Sequence, residues 1–185
     1  AERVDARAAL QASLFNVYVG SLDPLFLDWR WEAIPSPDGG LVWRPLGTFR
    51  AGALARYDGI ATYLSRPIQP DLTTFGHDYP HTLTGIPDQA SAYRYLIGSL
   101  GRPVWDSVAA ALQASLTDSV IAAAVGTMPA AYQALVGDRL IETLRERRDN
   151  LPHAVDLMFK QVRGQAEVYG SAGAEEVTVE WPAPD

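Results

Sequence analysis

The chain contains no cysteine. That excludes disulfides, thiolate metal sites and thiol nucleophiles, and it leaves the compartment open. Lysine is almost missing too: Lys160 is the single lysine among 15 basic residues. Positive charge is therefore carried by arginine, whose planar fork suits fixed ion pairs and interfaces better than an ammonium does. A GC-rich coding sequence produces the same bias. No apolar run approaches the ~20 residues that span a bilayer. There is no P-loop, no dinucleotide fingerprint and no nucleophile elbow of the G-x-S-x-G type, so no triad can be argued. Internal repeats and low-complexity linkers are also lacking.

What is present suits one globular domain over residues 1–185, with 48% hydrophobic and 20% charged residues. The net charge is −7 and the pI about 4.9. That balance disfavours nucleic acid, whose phosphates need a basic surface, and electrostatic docking on anionic lipid. The sequence starts at Ala1 rather than at a methionine, as the mature product of signal-peptide cleavage would. The expectation is an exported protein at the periplasmic face of a bacterial membrane, with no transmembrane segment of its own.

Residues 6–19 place Leu10, Leu14, Val17 and Tyr18 at helical spacing, and Gly20 is a suitable C′ residue. Leu27, Trp29 and Trp31 alternate with Asp28, Arg30 and Glu32, the period of a half-buried strand. Pro35-Ser36-Pro37-Asp38-Gly39-Gly40 is a turn signal, and Leu41 to Arg44 reads as the return strand. The expected hairpin carries Trp29, Trp31 and Trp43. A short helix is expected over 57–64, then an irregular loop punctuated by Pro67, Pro70, Pro80 and Pro87. Further helices are expected over 89–100, 103–115, 118–127, 129–136, 138–150 and 151–162, with Pro103, Pro129 and Pro152 in first turns and Thr117 as an N-cap. Val168–Tyr169 and Glu176–Trp181 suggest two short terminal strands.

Two stretches carry a resemblance. Gly20-Ser21-Leu22-Asp23-Pro24-Leu25-Phe26-Leu27-Asp28-Trp29-Arg30-Trp31 is similar to a catalytic loop of the form G-D-W-D-R-H-x-D-Q-W-R-W. Trp43-Arg44-Pro45, followed by Arg50 and by Arg56-Tyr57-Asp58-Gly59, is similar to a metal-binding loop of the form W-R-P-x-P-R-D-R-D-Q-A-F-x-R-F-D-G. Both belong to a bacterial secreted, protein-kinase-like domain found upstream of outer-membrane β-barrel and phosphoesterase proteins. The chain resembles a degenerate C-lobe of that family. The fold this implies is mainly α (α+β), with a small N-terminal β-hairpin and short C-terminal strands.

The resemblance also implies lost chemistry. Phosphoryl transfer needs an Asp to accept the substrate proton and carboxylates to hold Mg²⁺. Asp23 stands where the family's catalytic Asp stands, but its Arg-His neighbours are replaced by Pro24 and Leu25. Arg50 is kept, while its flanking aspartates are replaced by Phe49 and Ala51. The ordinary role of Asp23 is then that of a loop carboxylate accepting backbone hydrogen bonds. The expectation is a non-catalytic accessory subunit with no cofactor and no metal, acting on other protein subunits, with a membrane-protein complex as the candidate partner. The alternatives are a divergent phosphotransferase using Asp23, and a small-ligand module with an apolar pocket around Phe49, Leu25 and Trp29.

Candidate interface residues are Trp29, Arg30, Trp31 and Trp43 of the hairpin, because Trp and Arg are enriched at hot spots. A row of this kind also packs readily onto its own core. Val177, Val179 and Trp181 lie on a terminal strand that could join another sheet edge or close a hairpin with Val168–Tyr169. His77, Asp78 and His81 offer ligand types for zinc, but Pro80 breaks the helix that would align them. The run Arg145-Glu146-Arg147-Arg148-Asp149 reads as a solvated helix face with local ion pairs, or otherwise as a docking patch.

Overall fold

A computed structural model describes residues 2–21, 29–46, 52–65, 68, 74–81, 83, 86, 90–164, 173 and 178. Seven helices and three strands lie among them: β1 (Glu2–Val4), α1 (Ala6–Val19), β2 (Arg30–Pro35), β3 (Leu41–Leu46), α2 (Ile60–Ser65), α3 (Ala90–Ile97), α4 (Arg102–Ser115), α5 (Asp118–Gly126), α6 (Ala130–Asp149) and α7 (Leu151–Arg163). The mainly helical expectation with a small β component holds. The expected terminal strands lie outside the described residues.

Helix α1 forms where its periodicity places it. Asp5 caps its start by accepting the Ala8 amide at 3.0 Å, and Gly20 ends it in the left-handed region at φ 64°. Ala9, Leu10, Ser13 and Leu14 on its inner face are almost fully buried, and Ser13 returns its hydroxyl to the Ala9 carbonyl at 2.7 Å. Helices α3, α4 and α7 pack against α1. Trp105, Leu151, Val155 and Met158 close the centre with no measurable exposure. Trp105 meets Phe159 edge to face at 5.3 Å, and its indole N–H donates to the Leu100 carbonyl.

A hairpin forms where the turn signal places it, but its first strand runs over Arg30–Pro35, so Trp31 and Trp43 lie on it and Trp29 just before it. Its register pairs Trp31 with Pro45 and Ala33 with Trp43, so both tryptophans share one face. One strand was not legible: β1 adds in parallel to β3, with Val4 opposite Trp43, giving the order β1-β3-β2. Three residues without a local partner carry too little pattern to be read.

Helix α3 ends at Ile97, three residues before expectation, and two further differences have a local cause. Residues 130–149 form one helix rather than two, because the glycine at its centre needs no break. Gly137 is buried, and a Cβ there would rest 3.9 Å from Val125 of α5, in ordinary contact. Helix α2 starts at Ile60 rather than 57, because Gly59 has φ +121°, which a helix cannot include. Among the described residues no single helix is long and apolar enough to cross a bilayer; α4 and α5 reach that length only as two segments bent by 63°.

Gly20 and Gly39 both hold positive φ, but a Cβ on Gly20 would lie 2.7 Å from Phe75, whereas one on Gly39 would meet nothing within 4 Å. Gly39→Ala should cost roughly 1 kcal/mol for the left-handed backbone alone. Gly20→Ala should cost at least about 1 kcal/mol more, read by urea denaturation, because Phe75 must move. Equal losses would mean that Phe75 is not held against the end of α1.

Candidate functional site

Residues from both halves of the sequence meet at the end of α1. A helix leaves its last four carbonyls without helical partners. Here the Asn16 carbonyl takes the Ser21 amide at 2.9 Å, and Val17 takes the Gly20 amide at 3.1 Å. Val19 takes the Leu54 amide at 2.9 Å. The remaining demand falls on Arg147 of α6, whose Nε donates to Tyr18 O and whose Nη2 donates to Val17 O, each at 2.7 Å.

The same guanidinium reaches the 74–81 segment. Its Nη1 donates to the carbonyls of Gly76 and Asp78, both at 2.8 Å. Its carbon lies 4.1 Å from the Tyr79 ring centroid and 4.7 Å from that of Phe75. The Tyr79 hydroxyl donates back to the Arg147 carbonyl at 2.8 Å, and Tyr18 donates to the Leu144 carbonyl at 3.2 Å. Burial pushes the Tyr18 phenol up to about 12 and raises Tyr79 further, so both remain neutral donors near neutrality.

Arg147 is only 3% exposed. Burial lowers its pKa, yet arginine stays protonated in proteins. Its counter-charge is a set of carbonyl dipoles, including the negative end of α1, rather than a carboxylate. This corrects the reading of 145–149 as a solvated face. Arg145 and the half-buried Arg148 do bridge to Asp118, at 3.2 and 2.6 Å, and Arg148 also donates to the Leu116 carbonyl at 3.1 Å. Arg147 falls on the inward stripe, three residues after Leu144 and four before Leu151, both buried. That stripe was the signal in the sequence.

Beside this clamp lies a cleft of about 660 Å³, between the 53–56 and 74–77 segments and the face of α6 that runs from Tyr132 to Glu146. Leu54, Phe75, Met128 and Leu140 supply apolar surface; Arg56, Arg139, Glu142 and Glu146 supply charge of both signs. Its size lies within the range of small-ligand sites. Leu54 holds φ 61°, rare for a side chain of its kind, so strain is stored at the cleft wall. Asp58 ties the two wall segments, accepting Arg56 Nε at 2.8 Å and the Thr74 hydroxyl at 3.0 Å.

The expected interface residues that are described lie together on and beside the hairpin, largely packed inward. Trp29 is 8% exposed, packs into the core and lies 6.0 Å from the Trp31 ring. Trp31 is half-buried against the same core and Trp43 is half-buried, while Arg30 is exposed. Most of this tryptophan surface is therefore spent inside the chain. Asp23, Pro24, Leu25, Phe49, Arg50, Ala51, Val177, Val179 and Trp181 lie outside the described residues. His77 pairs with Asp78 at 3.1 Å at the surface, and His81 is exposed. Among the described residues no group of three or more His, Asp or Glu could hold a metal ion.

Sequence reasoning placed a short helix at α2 but did not anticipate its exposure. No residue of α2 is buried: Ile60 is 81% and Leu64 68% exposed, and Ile68 beyond it is 85% exposed. Tyr132 and Leu135 on the first half of α6 are 61% and 82% exposed. The signal was available, since 60–64 has the composition of a core helix without a polar face.

No protein-family model, curated protein or solved structure matches this chain.

Removing Arg147 would strand carbonyls of Tyr18, Gly76 and Asp78 and leave Val17 with the Gly20 amide alone. Arg147→Met should therefore cost about 3–5 kcal/mol in urea denaturation, a large share of a domain's usual stability. Arg147→Lys should recover little, because one ammonium cannot span four acceptors in a plane. A loss below about 1 kcal/mol would show that water replaces the guanidinium cheaply.

Proposed function

We propose that this chain is a non-catalytic accessory subunit that works by contact with other protein subunits. The observation that carries the reading is α2. A short helix cannot persist on propensity alone, and this one turns Ile60 and Leu64 to solvent, with Ile68 just beyond. Apolar surface of this kind, when contiguous, marks an interaction site. Burying two such side chains against a partner is worth about 3–6 kcal/mol before association costs.

The resemblance supports the same direction. A frame that keeps Trp29, Arg30, Trp31, Trp43 and Arg44 while replacing chemistry with Pro24, Leu25, Phe49 and Ala51 suits retention for architecture. On that resemblance the partner is a larger membrane-associated complex on the periplasmic side. Location in the envelope rests on the same ground.

A second reading is favoured by the cleft itself. Its volume, its apolar wall and the strained Leu54 fit a small-ligand module. Of the residues first expected to line such a pocket, Phe49 and Leu25 lie outside the described residues. Trp29 belongs to the core instead.

The test uses a tagged chain expressed in its source organism. With Ile60→Asp and Leu64→Asp combined, a discrete partner that co-purifies in fixed ratio with the wild type should be lost, while the melting temperature stays within a few degrees. Retention of the partner by the variant would overturn α2 as the contact. Transfer of phosphate from ATP by the purified wild type, abolished in Asp23→Ala, would overturn the non-catalytic reading.

A further inference from the structure

At the start of α1, the end away from the clamp, a second hollow of about 430 Å³ opens where the helix meets the sheet. Its wall carries three arginines, Arg3, Arg7 and Arg44, and the carboxylate of Asp5. Asp5 is committed on both oxygens. One takes the Ala8 amide at 3.0 Å and the other takes Arg44 Nε at 2.8 Å. Burial raises the Asp5 pKa, but the Ala8 amide and Arg44 outweigh it, so the group sits below its ordinary value and is fully ionised at neutrality. Asp5 thus accounts for Arg44 and for the helix end.

Arg3 and Arg7 are not accounted for. Arg3 approaches Asp38 only at 3.8 Å, with both side chains more than 60% exposed, and Ser36 at 3.3 Å. Arg7 meets a single neutral acceptor, the Ser107 hydroxyl at 3.1 Å. The chain has 22 acidic residues against 15 basic ones. Even so, no carboxylate among the described residues lies within ion-pair distance of Arg7. Two guanidinium forks therefore have N–H donors to spare at one hollow.

Apart from Ser36, the rest of the hollow is lined by apolar residues. Ile34 and Val42 are register partners across β2 and β3, and Arg3 is the partner of Val42 on β1. Alternation puts these three on the sheet face opposite Val4 and Trp43, the face turned away from the core. Ile34 and Val42 are half-buried, and Pro35 and Leu100 close the sides.

We infer that this hollow is a binding site for a small organic carboxylate with an apolar body. The forks of Arg3 and Arg7 hold the carboxylate, and the body lies on Ile34 and Val42. A guanidinium matches a carboxylate in two parallel hydrogen bonds. An apolar floor beneath selects an organic acid over a bare inorganic anion. The net charge of −7 repels anions from the surface as a whole, so saturable binding here reports this hollow and not a diffuse field. The inference is independent of α2 and of the proposed partner.

The test is an amide NMR titration of the full chain with benzoate, its uncharged analogue benzamide, and inorganic phosphate. Benzoate should shift the amides of Arg3, Arg7, Val42 and Arg44 saturably, and added sodium chloride should weaken it. Benzamide should leave those amides unmoved, and phosphate should bind more weakly than benzoate. Arg7→Gln should weaken benzoate roughly fivefold to tenfold with an unchanged melting curve, because the side chain is exposed and holds only one hydroxyl. No saturable shift at millimolar benzoate, equal shifts with benzamide, or tighter binding of phosphate would each overturn the assignment. So would an Arg7→Gln variant that binds as the wild type does.

Discussion

The described part of the molecule converges on one cation, the buried guanidinium of Arg147. It draws together elements far apart in sequence: the end of α1, the 74–81 segment and α6. A buried charge is expensive unless its donors are filled. Here they are filled by backbone carbonyls that themselves lack helical partners, so one group answers two demands. The arrangement also orients the cleft, because Phe75 and Gly76, which line it, are the residues the guanidinium touches and holds.

Rigid interior and uncovered exterior are set side by side. The α1, α4 and α7 core is closed around Trp105 and Met158. A few residues from the clamp, the chain leaves Leu54 in a strained backbone, passes Asp58, turns at Gly59 and presents Ile60 and Leu64 to solvent. Among the described residues α2 contributes nothing buried, so the fold does not need its apolar side chains. A partner surface would.

Local signals were legible and non-local ones were not. The bounds of α1 could be read because Gly20 stops a strong periodicity, and the hairpin because a Pro-Gly turn separates two alternating runs. Thr117 caps α5 as its type suggests, accepting the Val120 amide at 3.3 Å. β1 was missed because its stability comes from β3, some forty residues away. Arg147 was misread because its neighbours Arg145 and Arg148 pair with the exposed Asp118, and composition hid the period that runs through Leu144 and Leu151. The hairpin tryptophans were found but belong largely to the chain's own packing. The residues that carry the kinase-like resemblance most directly, Asp23 and the 49–51 stretch, lie outside the described residues.

The most direct measurement is the native mass of this chain in a gentle detergent extract of its source organism. The account predicts that it migrates inside a particle much larger than its own 20.1 kDa. Migration alone, near that mass, would contradict a role as an accessory subunit.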